Sequence, residues 1–243
     1  MWYATGTKRT GDPYSWRVDD DIKKTEMNNY FEDNIGISLD KVVLEGRLVL
    51  PKRAAPIVIF SHGSGSSRFS PRNQAVAERL QLTGIGTLLF DLLTPLEDQE
   101  YENRFDIELL TVRLVHVTKW LERFAPATDC SLGYFGASTG AASALKAAAR
   151  LPQISAVISR GGRPDLAMEA LDKVKAPTLL IVGGLDIEVL RLNEQAYDWL
   201  ECPKKLAIVE GATHLFEEEG AMDEVMDLAV GWFTKYLQKK AIV

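Results

Sequence analysis

The sequence predicts an α/β domain built on a mostly parallel sheet of about eight strands, with helices on both faces and no large cap. Three observations carry this. Short, almost continuously apolar runs recur along the chain, the pattern of strands buried on both faces. Longer segments with apolar residues at helical spacing lie between them. With 243 residues the chain can also bury one sizeable core without help from disulfides or metals.

Taken in order, residues 1–30 are polar, include the charge-dense run from Arg17 to Glu26, and show neither a helical nor a strand period. They read as an extension outside the core, with residues 31–243 forming the domain, and a chain begun at Met27 is expected to fold. Residues 35–39 and 42–50 read as antiparallel strands joined by a turn at Asp40-Lys41, and Pro51 closes the second. Six further apolar runs, at 57–60, 86–90, 131–135, 154–159, 178–182 and 205–209, read as buried strands. Between 105 and 124, Ile107, Leu110, Leu114, Val117, Leu121 and Phe124 recur at steps of three and four residues, one stripe of a helix. The small-residue run 141–150 and the segment from about Met222 through Leu237 complete the clear helices, and 166–174 holds at most one short one.

Composition narrows the function classes. A formal net charge of -6, with no Lys/Arg block interleaved with aromatics, argues against a nucleic-acid partner. Cys130 and Cys202 are far apart and form no CxxC or Cys/His cluster, which argues against a disulfide framework and a structural zinc and fits free thiols in a reducing cytoplasm. Residues 1–10 lack an apolar leader core, and no stretch approaches the ~18 apolar residues of a membrane span. The expectation is a cytoplasmic protein with no membrane partner.

The chemistry is concentrated in Gly136-Ala137-Ser138-Thr139-Gly140, directly after one predicted strand and directly before a helix. Glycines around a sharp strand-to-helix turn hold a serine exposed at the helix N-terminus, where the dipole and the Thr139 amide favour negative charge. A serine hydroxyl needs a base to take its proton. Among the three histidines, His214 in Gly211-Ala212-Thr213-His214 follows the last strand and precedes the last helix. His116 falls outside the apolar stripe of its helix and reads as a surface residue, and His62 reads as a structural element of its loop. The base needs an acid to set its tautomer, and Asp186, at the end of the strand 178–182 and its short extension, is the candidate, with Glu188 its rival. The glycine-rich loop 61–67 supplies a second oxyanion donor, the amide of Ser64 or alternatively that of Gly65. No phosphate-binding or dinucleotide glycine motif is present, so no cofactor is implied.

These residues resemble those of the α/β-hydrolase superfamily, whose triad order is serine, acid, histidine, and within it the dienelactone-hydrolase-like group. The resemblance covers roughly residues 35–238. The segments 61–73, 90–95, 133–140, 159–165 and 211–216 are similar to those of bacterial hydrolase domains that occur alone or fused to phosphoribosyltransferase domains. Dienelactone hydrolases use a cysteine where this chain has Ser138, so the lactone substrate is not carried over. The resemblance implies a serine hydrolase acting on a small ester or thioester through an acyl-enzyme at Ser138. An acyltransferase with the same triad, or a binding protein on the same fold, is the alternative.

Three arginines stand near the expected site. Arg160 and Arg163 flank Gly161-Gly162 just past the strand 154–159, and Arg68 lies in the oxyanion-side loop. Guanidinium groups at the carboxyl ends of parallel strands can grip a substrate carboxylate or phosphate. Pairing with acids such as Glu217, Glu218 and Glu219 is the simpler role. The expected partner is a small-molecule substrate, and a homodimer stays open.

Overall fold

A computed structural model describes residues 30–53 and 55–237, so nearly all of the polar extension, and the start at Met27, lie outside the described residues. Eight strands form one sheet: β1 (Phe31–Ser38), β2 (Val43–Leu50), β3 (Ile57–Ser61), β4 (Gly86–Phe90), β5 (Leu132–Ala137), β6 (Ile154–Arg160), β7 (Thr178–Gly183) and β8 (Lys204–Val209). Their spatial order is β1-β2-β4-β3-β5-β6-β7-β8. β2 runs against both its neighbours and all other pairs are parallel.

The first hairpin closes where expected, with the Leu39 amide donating to the Val42 carbonyl at 2.9 Å. β1 begins earlier than its period suggests because Phe31 packs edge-on against Phe124, with ring centroids 5.7 Å apart. β3, β4, β5 and β7 are buried at every position, which explains their unbroken apolar runs.

The helices are α1 (Pro71–Leu82), α2 (Ile107–Leu121), α3 (Thr139–Arg150), α4 (Ile187–Trp199) and α5 (Ala221–Tyr236). Ser70 caps α1, its Oγ accepting from the Asn73 amide, and Pro71 supplies a preset first turn. Asp106 caps α2 in the same way through the Leu109 amide at 2.9 Å. Two cores result. Ile59, Leu88 and Tyr134 pack under α2, α3 and α4 on one face, while Val58, Phe60 and Phe135 pack under α1 and α5 on the other.

Between β6 and β7 the only ordered piece is a 3-10 segment, Pro164–Lys173, so among the described residues no large cap stands over the strand ends. Two short 3-10 turns, Glu97–Gln99 and Tyr101–Phe105, link β4 to α2 and are closed by the fork of Arg104 on Asp98. Among the described residues no helix is long and apolar enough to cross a membrane. Cys130 and Cys202 are buried and do not form a disulfide.

Candidate active site

The site forms at the carboxyl ends of β5, β6 and β7 and in the loop after β8. β5 ends at Ala137, opposite Arg160 of β6, and the chain turns into α3 within one residue. At Ser138 this turn takes φ 51 and ψ -123. A positive φ at a residue with a Cβ costs of order 1–3 kcal/mol and persists where neighbours over-determine it. Here they do. The Ser138 amide donates to the Arg160 carbonyl at 3.2 Å, and the Ser138 carbonyl accepts from the amides of Ala141 and Arg163, each at 3.1 Å. A Cβ on Gly136 would lie 2.5 Å from Ala141 Cα, and one on Gly140 would collide with the Ser61 carbonyl. The Ser143 hydroxyl donates to the Gly140 carbonyl at 3.0 Å, which leaves its oxygen to accept from Ser61 Oγ at 2.8 Å. That chain ties β3 to the first turn of α3.

Asp186 follows β7 as the residue preceding α4, and His214 sits in the loop between β8 and α5. His214 Nδ1 and Asp186 Oδ2 are 2.6 Å apart. The two loops are fastened to each other, since the Leu185 amide donates to the Ala212 carbonyl at 2.9 Å and a Cβ on Gly183 would come within 2.6 Å of the Thr213 carbonyl. The Thr213 hydroxyl donates to Glu218 at 2.6 Å, and the fully buried Phe216 anchors the loop beyond the histidine. Glu188 is exposed and takes no part in holding His214. The acid is covered at 15% exposure, while the imidazole remains 38% exposed.

Ser138 and His214 line one cavity of about 270 Å3, together with Ser64, Arg72, Arg160 and Leu215. The structure brings serine and histidine into this shared space rather than into a direct hydrogen bond, as is common before substrate arrives. Ser64 and Thr139 are also together. The Ser64 amide donates to Thr139 Oγ1 at 2.8 Å, so the expected oxyanion donor is beside the residue that follows Ser138 but engaged in this state. Gly63 packs against the serine, and a Cβ there would meet Ser138 Cβ at 3.0 Å.

The three expected arginines separate. Arg68 does not reach the cavity, because its guanidinium is held by Asp91 and Glu45 and stacks over Phe69. Arg163 forms a fork on Asp165 with both contacts at 2.8 Å, which holds it charged, and it too is absent from the cavity wall. Arg160 alone lines it, 5% exposed. Its Nη2 contacts Asn73 Oδ1 at 3.4 Å and its guanidinium lies 5.8 Å from the Phe216 ring centroid. Burial pulls its pKa down to about 10, and the adjacent Arg72 charge acts in the same direction. Arg72 was missed in the sequence. It is the second residue of α1, just after the glycine-rich loop, and the Ser70-Pro71 cap was the available signal.

The other histidines separate as well. His116 is exposed on α2. His62 accepts from the Leu92 amide through Nε2 at 3.1 Å, so its Nδ1–H donates to the Gly63 carbonyl at 3.0 Å, and both ring nitrogens are used. Among the described residues no group of three His, Cys, Asp or Glu side chains is placed to hold a metal ion.

A solved structure described as dienelactone hydrolase from Anabaena variabilis ATCC 29413 is 52% identical to this chain, covers 86% of it and 99% of its own length, and has a TM-score of 0.83. The chain belongs to the dienelactone-hydrolase-like group of the α/β-hydrolases. Two proteins of Mycobacterium tuberculosis that bear the name phosphoribosyl transferase are 50% identical over 208 residues, 85% of this chain. The chain spans about half the length of these curated relatives, 47%. An esterase of Pyrococcus furiosus shares the fold at a TM-score of 0.73 with 16% identity. No family model matches the chain.

Proposed function

We propose that this hydrolase cleaves a small ester or thioester through an acyl-enzyme on Ser138. One observation carries this best: a serine held at positive φ shares its cavity with a histidine whose far nitrogen is already engaged by a carboxylate. The Nδ1–H of His214 donates to Asp186, which leaves Nε2 unprotonated as the base. Nε2 takes the Ser138 proton as Oγ adds to the substrate carbonyl, and returns it to the departing alcohol or thiol. Water then enters by the same proton path, and its attack releases the acid and restores the serine.

Negative charge on the tetrahedral oxygen falls beside the N-terminus of α3. The Thr139 amide, in the first turn of that helix, faces it without an intrahelical acceptor. The Ser64 amide joins when the oxygen displaces Thr139 Oγ1 as its partner. The absence of a large cap suits a small substrate. We assign the phosphoribosyl transfer named for the longer relatives to the part of them that this chain does not span.

A fluorophosphonate probe tests the assignment. It is expected to label Ser138, and p-nitrophenyl esters are expected to be cleaved by the wild type and not by Ser138→Ala. A well-folded protein that is neither labelled nor active would instead be a binding protein on this fold.

A further inference from the structure

We propose that Arg160 and Arg72 form an anion-binding subsite beside Ser138, which takes a carboxylate or phosphate group carried by the substrate. The inference rests on the serine-hydrolase assignment and adds the substrate's charge to it.

Both arginines line the cavity that holds Ser138 and His214. Arg160 reaches it from the end of β6, and Arg72 from the first turn of α1, next to Asn73, which Arg160 contacts. Among the described residues, no carboxylate pairs with Arg160. Its partners are one long contact to an amide oxygen and the face of an aromatic ring, and its Nε is buried without a hydrogen bond. Arg72 meets Glu217 at the rim through Nη1 at 3.3 Å, and its Nε is likewise buried and unpaired.

A buried guanidinium without an anion is an unfavourable arrangement, and a second cation beside it makes it worse. Proteins usually resolve such a charge with a neighbouring Asp or Glu, as this one does for the largely covered Arg68 and Arg113. At Arg160 the wall offers none. A planar carboxylate or a phosphate in the cavity, accepting from the two guanidinium groups, would supply the anion that Arg160 lacks. The limited volume then calls for a short link between that anion and the scissile carbonyl.

The test compares two p-nitrophenyl esters with five-carbon acyl chains, the neutral valerate and the mono-glutarate, whose far end is a carboxylate. The wild type is expected to favour the glutarate by about tenfold or more in kcat/KM, a factor that corresponds to about 1.4 kcal/mol. Arg160→Gln and Arg72→Gln are each expected to erase most of that ratio. If Arg160→Gln does not fold, Arg72→Gln carries the test. Free glutarate and inorganic phosphate, offered as competitors of fluorophosphonate labelling, distinguish the two anions, and the better protector names the group.

No preference for the glutarate ester together with no protection by either anion would overturn the proposal, as would a preference that survives both substitutions. If Ser138 is neither labelled nor active, the hydrolase assignment fails separately. The subsite is then read in Tm: stabilisation by glutarate or phosphate that Arg72→Gln abolishes supports it, and no stabilisation overturns it.

Discussion

The backbone amide of Leu92 donates to Nε2 of His62 at 3.1 Å, and this one contact makes the histidine a neutral fastener between the oxyanion loop and the end of β4. Protonated Nε2 would present a hydrogen to a donor. Desolvation holds the His62 pKa below its ordinary 6.5, more than the Gly63 carbonyl and Asp91 raise it. As pH falls through 6.5, the unfolded chain gains a proton here before the folded protein does. The stabilising contribution is therefore complete above that value and is lost progressively until the lower folded pKa is passed. Urea midpoints measured from pH 8 to 5 are expected to fall more steeply for the wild type than for His62→Asn, by up to about 1.4 kcal/mol per pH unit. Equal slopes would mean that His62 is not held neutral.

The packing of Gly63 against Ser138 makes the loop a steric ruler for the proposed nucleophile. Gly63→Ala would place a Cβ 3.0 Å from Ser138 Cβ and 3.2 Å from the Ala137 carbonyl. The cost in stability is expected near 1–3 kcal/mol. The loss in kcat/KM is expected on the order of tenfold to a hundredfold, because the serine is displaced from its line of attack. Gly231→Ala, in α5 with nothing within 4 Å of its added Cβ, is the control and is expected to raise stability by about 0.5–1 kcal/mol. Unchanged ester hydrolysis by Gly63→Ala would show that the serine tolerates the shift.

The three proposed catalytic groups are expected to act as one unit. Ser138→Ala and His214→Ala should each lower kcat by about a millionfold, and the double variant should be no worse. Asp186→Asn keeps the shape but loses the charge that selects the Nδ1–H tautomer, and is expected to lose about ten-thousandfold. Additive losses in the double variant, measured by single-turnover release of p-nitrophenol, would separate the serine from the histidine.

Far from the cavity, a buried hydrogen-bond chain gives an ordering that stability measurements can check. The Thr118 hydroxyl donates to the Leu114 carbonyl at 2.8 Å, so its oxygen accepts from Tyr134 at 2.7 Å. Tyr134→Phe removes a donor and leaves Thr118 satisfied, at a cost of about 1 kcal/mol. Thr118→Val strands the fully buried phenol and is expected to cost more, about 1–3 kcal/mol. The reverse ranking in denaturant melts would contradict this proton direction.

The sequence by itself determined the architecture and singled out the residues proposed to carry the chemistry. Strands buried on both faces must be apolar throughout, and a strand-to-helix turn of one residue demands glycines at 136 and 140. Both constraints act on neighbours in the chain, so they are written in local order. Asp186 and His214 were legible for the same reason, as loop residues just past the ends of strands. Tertiary structure alone decided which arginines face the serine. Arg68, Arg160 and Arg163 look alike in sequence, yet Asp91 and Glu45 take the first, Asp165 takes the third, and Arg160 is left with Arg72 at the cavity wall. A long charged side chain goes to whichever carboxylate the fold brings within reach, and that depends on contacts between distant segments, which no local pattern encodes.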